Sequence, residues 1–128
     1  MAEISNFLED AIINATLRNT TYTSVATVYV SLWTSDPTDA GSGTEVSGGS
    51  YARTAVTFAA PSNGVTTNSA DVTFPTATAS WGTVGWIGIN DALTTGNLLY
   101  HTALDVSKTV TSGDIFKIST GNLSVTLA

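Results

Sequence analysis

Two stretches of sequence decide the fold: SYARTAVTF at residues 50–58 and VTFPTATASWGTVGWIGIND at residues 72–91. In both, apolar residues alternate with Thr, Ser, Ala or Gly, and a period of two is the pattern of a strand with one buried face. The second stretch also carries Trp81 and Trp86 beside glycines, which would let a neighbouring strand or ring approach closely. These features are typical of packed sheets, and they offer few side chains for chemistry.

The N-terminal segment has a different period. Apolar residues recur there with the i, i+3, i+4, i+7 spacing of an amphipathic helix, namely Ile4, Phe7, Leu8, Ala11, Ile12 and Ala15. Ser5 and the acidic residues that follow it suit a first helical turn. We therefore predict one amphipathic helix near residues 3–18. It caps its own β-core or, because Ile13 and Leu17 widen the apolar face, docks partly on another subunit.

The rest of the chain reads as short strands separated by turns. TVYVSLW at residues 27–33 has large side chains on both faces, which predicts a central strand of a sheet. Further strands are predicted at residues 51–58, 65–67, 72–74, 84–89, 98–103, 108–110, 115–118 and 123–127. Gly, Asn, Asp and Pro stand between them where the backbone must reverse. Many short strands at this spacing favour a two-sheet sandwich over an open sheet.

These elements fit one domain spanning residues 1–128, because the chain is long enough for one core and too short for two of ordinary size. Residues 1–19 would form the helix or arm, and residues 20–128 the sandwich, with a long loop at 35–50. The predicted fold class is mainly β: an antiparallel, jelly-roll-like β-sandwich preceded by one N-terminal amphipathic helix.

Composition and charge argue against several classes of function. The net charge is −6 and the four Lys and Arg residues are scattered, so a nucleic-acid partner is not expected. No apolar run is long enough to span a bilayer, and the acidic N-terminus is unlike a signal peptide, so we expect no membrane partner and synthesis in a cytoplasm. The absence of cysteine removes thiolate catalysis and Cys-based metal sites.

Few residues could carry a reaction. The single histidine, His101, lies in the strand-like run LLYHTAL, and a lone strand histidine seldom completes a nucleophilic triad, so we interpret it as structural. Asp36, Asp39 and Glu45 in the long loop could bind calcium, but their order does not match an EF-hand and a solvated acidic loop is the simpler interpretation. We predict no enzymatic activity, no cofactor and no metal.

The three tryptophans have two interpretations. Trp33, Trp81 and Trp86 could form a platform that stacks on a sugar ring, although tryptophans more often belong to a core. Trp81 stands between Ser80 and Gly82 in a turn-like setting, so of the three it is the strongest candidate for exposure or for contact with another subunit. Trp86 is expected to be buried.

Nearly the whole chain resembles a family of small tailed-bacteriophage proteins that are labelled tail fibre proteins or capsid decoration (cement) proteins. The resemblance lies in the short N-terminal helix and in the strings TVYVSLWTSDPTDAG, GTEVSGGSYARTAVTF, NSADVTFPTATASWGTVGWIGIND and GNLLYHTALDVSKTVTSGD. It implies a structural protein of the virion, made in the cytoplasm of the host bacterium.

Within that resemblance, a short chain without internal repeats leaves no length for a fibre shaft, which favours a capsid decoration protein that stabilises the assembled head. Its partners would be the major capsid protein and itself, as a dimer or trimer. The alternative is a tail fibre or tail-associated adhesin that binds host surface carbohydrate. The predicted contact residues are Ile4, Phe7 and Leu8 on the helix, Tyr51 and Arg53 after the loop, and Trp81.

Overall fold

The computed structural model describes residues 2–127. Its main antiparallel sheet has the strand order β1 (Glu3–Ile4), β7 (Leu98–Val110), β6 (Gly82–Asn90), β2 (Val28–Trp33), β3 (Thr54–Val56). Two antiparallel ribbons pair β4 (Val65–Thr67) with β9 (Ser124–Thr126), and β5 (Val72–Thr73) with β8 (Lys117–Ile118). Between β1 and β2 the described chain forms one helix, α1 (Asn6–Leu17). The predicted fold class, mainly β and antiparallel with one helix near the N-terminus, is confirmed.

The hydrophobic core joins the main sheet to both ribbons. Val30 and Leu32 of β2 are paired directly with Ile89 and Ile87 of β6, so all four side chains point to the same face, and all four are buried. Residues from the ribbons and their connections pack in the same cluster: Val72, Phe74, Phe116, Leu123 and Val125. The ribbons therefore cover one face of the main sheet in a sandwich-like arrangement.

The predicted start of the helix at residue 3 is wrong, because Ser5 fixes a later start. The Ser5 Oγ accepts a hydrogen bond from the Leu8 backbone N–H at 3.2 Å, which makes Ser5 the N-cap, and its hydroxyl donates to the Leu98 carbonyl at 2.5 Å. The residues before it, Glu3–Ile4, are extended and pair with β7. The N-terminus is thus tied to an edge of the main sheet.

Most predicted strands appear, with shorter or merged boundaries. The prediction of a central strand at 27–33 is confirmed, because β2 lies between β6 and β3. The two strands predicted at 98–103 and 108–110 are a single strand, β7. The predicted break appears as a bulge in its pairing: Trp86 pairs with Ala103 and Val84 with Lys108, so residues 104–107 bulge opposite Gly85.

Within residues 2–127, no helix has the length and apolar character required to cross a bilayer.

Two aspartates hold turns at the ends of the ribbons. The backbone N–H and hydroxyl of Thr120 donate to Asp71 at 2.8 and 2.9 Å, and those of Thr111 donate to Asp114 at 2.8 and 3.0 Å. These bonds, with the backbone N–H contributing most, lower the pKa of both carboxyl groups below their ordinary value of 3.8. The turns should therefore weaken in acid.

We predict that replacing both carboxyl groups, in the variant Asp71→Asn with Asp114→Asn, reduces the acid sensitivity of the fold. A carboxyl group whose pKa is lower in the folded state contributes fully above its unfolded pKa, and the contribution is lost as the pH falls through the folded pKa. Urea unfolding from about pH 5 to about pH 3 should show a smaller loss of stability in the variant than in the parent. Equal losses of stability in the variant and the parent would show that these two carboxyl groups do not cause the acid sensitivity.

Candidate functional site

A cleft of about 460 Å³ opens on the face of the main sheet opposite the ribbons. Its buried floor is formed by Trp33, Asn90 and Leu98, and its walls come from the first turn of α1, the loop at residues 39–41 and the turn at residues 95–97. This volume lies within the range of small-molecule sites, roughly 300–1,000 Å³. The cleft is therefore large enough for a small ligand.

A chain of hydrogen bonds fixes the floor. The Trp33 Nε1–H donates to Ser31 Oγ at 2.8 Å, and the Ser31 hydroxyl donates to Asn90 Oδ1 at 2.6 Å. Ser31 is fully buried, so its proton needs an acceptor, and the indole cannot provide one because it only donates. The Asn90 oxygen must therefore face Ser31. The Asn90 Nδ2 group then points away from the Trp33–Ser31–Asn90 hydrogen bonds.

Gly88 makes room for the floor. It is paired with Ser31 across β2 and β6. A Cβ atom at Gly88 would lie 2.7 Å from Ser31 Oγ and from Leu98 Cδ1, and 3.0 Å from Trp33 Nε1. The expectation that a glycine here admits a neighbouring ring is confirmed at Gly88. At Gly85 an added Cβ would meet nothing within 4 Å.

These two glycines of β6 make a matched pair for mutation. Gly88→Ala is expected to lower the free energy of unfolding by about 1–3 kcal/mol, because the methyl group would displace buried side chains. Gly85→Ala introduces the same methyl group into open space and is expected to change stability by no more than about 0.5 kcal/mol. Urea denaturation of both variants measures the difference. Equal effects would show that the floor is not tightly packed.

Arg53 supports one wall of the cleft. Its Nε and Nη2 donate to the two carboxylate oxygens of Glu45 at 2.9 and 2.8 Å, and its Nη1 donates to the carbonyls of Ala92 and Thr95 at 3.0 and 2.7 Å. The bonds to Glu45 raise the pKa of Arg53 still further, so it stays charged. All three guanidinium nitrogens are engaged. Arg53 is therefore a positioning residue that holds the turn after β6.

The same turn is held from its other end by Asp91. Its two carboxylate oxygens accept hydrogen bonds from the Asn97 backbone N–H at 2.7 Å and from Asn97 Nδ2 at 3.0 Å. Thr95 and Gly96 both have positive φ, and a Cβ at Gly96 would lie 2.5 Å from Asp91 Oδ1. The wall of the cleft is thus built before any ligand arrives, which lowers the entropic cost of binding.

His101 anchors the loop at residues 39–41, which forms one wall of the cleft, to the main sheet. Its imidazole is buried, and its Nε2 lies 2.8 Å from Asp39 Oδ1 and 3.8 Å from Glu3 Oε2. Its Nδ1 lies 3.9 Å from Asp36 Oδ1. Glu45, the third acid of the predicted loop, is paired with Arg53 instead. The three loop acids therefore do not converge on one point, as a calcium site made of them would require.

Glu3, Asp39 and His101 offer three possible metal-ligand atoms within 4.8 Å of one another. The short hydrogen bond between Asp39 and His101 already gives both groups a partner, so we interpret the cluster as an anchor that joins β1 and the loop at 36–43 to β7. This interpretation agrees with the structural role expected for His101.

The predicted contact residues differ in exposure. Phe7 is 41% exposed and lines the cleft. Ile4 is half-buried in β1, and Leu8 is the buried residue of α1. Tyr51 is half-buried, accepts from the Leu32 N–H at 3.0 Å and donates to Glu45 at 2.6 Å. Burial and the bond to Glu45 raise the pKa of Tyr51.

The tryptophans differ from the prediction, because Trp81 is buried and Trp86 is not fully buried. Trp81 is 4% exposed, its Nε1–H donates to the Gly49 carbonyl at 2.8 Å, and its ring meets Tyr51 edge-on with centroids 5.5 Å apart. Trp86, which was expected to be buried, is only half-buried. The physical reason is that the chain around Gly49 folds over Trp81, a long-range contact that the local turn-like sequence does not reveal.

Asn90 and Ser31 are the site residues that the sequence reasoning missed. The signal for Asn90 was present in the run WIGIND, because strand alternation places it on the face of Trp86 and Gly88, opposite Ile87 and Ile89. A polar residue on that face of a central strand indicates a second covered surface.

Residues 3–126, nearly the whole length of the chain, match a family of bacteriophage proteins, which places the chain in the class of structural proteins of the virion. The family is described as podophage GP4 fiber I protein gp80, and the chain belongs to it. The resemblance to phage tail-fibre proteins stated from the sequence is thereby confirmed. No curated protein gives a significant match.

Proposed function

We propose that this protein is a non-catalytic component of the phage tail fibre that takes part in attachment by binding a host surface carbohydrate. The observation that carries the proposal is the family match over residues 3–126, since that family is described as a fibre protein. A preformed cleft supports a binding role. His101 is buried and its Nε2 is held by Asp39, which supports a structural role for this residue.

Capsid decoration is the second candidate. It is favoured by the exposed apolar end of α1, where Ile13 and Leu17 are 51% and 78% exposed. In this candidate the helix would dock on the major capsid protein. In either location we expect the chain to associate with itself, as a dimer or trimer, because virion parts are assembled with symmetry.

Electron microscopy of intact virions, labelled with gold-conjugated antibody to this protein, separates the two candidates. The proposal expects gold at the tail. Gold spread over the head would replace it with decoration. Virions treated with antibody that has been preabsorbed with the purified protein provide the control, because specific label must then disappear.

A further inference from the structure

We propose that the cleft beside Phe7 and Asn90 is a binding site for one neutral sugar residue, an inference that rests on the proposed attachment function and assigns it a place on the molecule. Three features carry it: an unused pair of hydrogen-bond donors on a residue that is otherwise buried, an arginine whose charge is already paired, and an aromatic ring left partly open to solvent. Each feature points to the same kind of ligand.

The donors belong to Asn90, which is only 3% exposed. Within residues 2–127 its side chain makes one hydrogen bond, through Oδ1 to Ser31, so the two Nδ2 protons have no acceptor in the described chain. Asn68, also buried, shows the usual situation: its Nδ2 donates to the carbonyls of Ala70 and Ser119, and its Oδ1 accepts from Leu123. The Asn90 amide therefore presents donors to whatever occupies the cleft.

A hydrogen-bond acceptor belongs to Asn97, which lines the cleft. Asn97 uses its Nδ2 to bind Asp91, which leaves its Oδ1 without a donor in the described chain. A hydroxyl group both donates and accepts, so it could bridge the Asn90 donors and the Asn97 acceptor. Sugars carry several such groups on a small ring.

The charges around the cleft favour a neutral ligand. Arg53 is saturated by Glu45 and two backbone carbonyls, so it offers no free cation to an anion. Asp39, which lines the opposite wall, is an acid whose Oδ1 faces His101. A carboxylate or phosphate group would meet the acid without a compensating cation.

Phe7 provides the apolar surface. Its side chain lines the cleft and remains 41% exposed although it lies on the first turn of a helix that is fixed by Ser5. The ring of a hexose has an apolar face of C–H groups, and burying such a face on an aromatic ring is favourable. The combination of a ring and a few placed polar groups is typical of small-molecule sites.

The test is a titration of the full-length protein, labelled with nitrogen-15, with glucose, galactose and N-acetylglucosamine at millimolar concentrations, followed by two-dimensional NMR. At least one of these sugars should shift the side-chain amide signals of Asn90 in a saturable manner. N-acetylneuraminic acid, which is anionic, should bind more weakly than that sugar. The variant Phe7→Ala should weaken binding at least about tenfold. Leu17→Ala, which removes an exposed apolar side chain on the same helix, should leave binding unchanged.

A second variant, Asn90→Asp, removes the donors with little change in shape and should also weaken binding. If that variant fails to fold, Phe7→Ala remains decisive, because its side chain is partly exposed. No saturable shift with any of the three sugars, or shifts that Phe7→Ala leaves unchanged, would overturn the inference. Sugar binding at the cleft together with gold label on the head would overturn the fibre proposal and leave the sugar site standing. Gold label at the tail without sugar binding would overturn the sugar site and leave the fibre proposal standing.

Discussion

Replacing Arg53 by methionine is expected to lower the free energy of unfolding by about 3 kcal/mol, at the lower end of the range for breaking a buried ion pair. The Arg53 side chain is 10% exposed and its Glu45 partner 22%, so the carboxylate left behind would be largely desolvated. The turn after β6 would also lose the two hydrogen bonds to the carbonyls of Ala92 and Thr95. Urea denaturation at neutral pH measures the loss.

The matched control for Arg53→Met is Lys117→Met. Lys117 is paired with Asp71 at 3.2 Å, but both side chains are about half exposed, at 49% and 47%. Exposed ion pairs contribute little because water and salt screen them. If Lys117→Met destabilises the protein as much as Arg53→Met, the Arg53 network is not the internal support described above.

Trp81→Ala is expected to cost about 3–5 kcal/mol, the usual range for truncating a buried tryptophan. The substitution would leave a cavity beside Tyr51 and would remove the donor that the Gly49 carbonyl now accepts from. A fall of this size is a large part of the stability of a small domain. Differential scanning calorimetry should show a strongly lowered melting temperature, or no folded protein at all.

Trp86→Ala provides the comparison, because Trp86 lies on the same strand-rich stretch and is only half-buried. The same truncation there removes less buried surface and should cost clearly less. A larger effect at Trp86 than at Trp81 would contradict the packing described for both residues. It would also restore the original expectation that Trp81 acts outside the core.

The fold class could be predicted because it depends on local periodicity. The alternation in residues 27–33 and 84–89 is visible in the sequence and reappears as Val30, Leu32, Ile87 and Ile89 on one buried face. The helix was predicted for the same reason, whereas its first residue depended on the cap at Ser5. Extended residues before a cap can read as one more helical turn when their side chains happen to match the spacing.

The cleft could not be predicted, because its parts come together only through long-range contacts. Ser31 and Asn90 are far apart in sequence and meet by strand pairing. Phe7 reaches the site because Ser5 is tied to Leu98, which lies 93 residues further along the chain. The same reason explains the tryptophans: the segment that covers Trp81 contains Gly49, and nothing local in the sequence indicates that it does so.

The copy number per virion tests the central claim most directly. It can be measured by quantitative mass spectrometry of purified particles, with the major capsid protein as the internal reference. A fibre component should be present in a small fixed number of copies, far below the number of shell subunits. Hundreds of copies in a simple ratio to the major capsid protein would contradict the fibre assignment and establish capsid decoration.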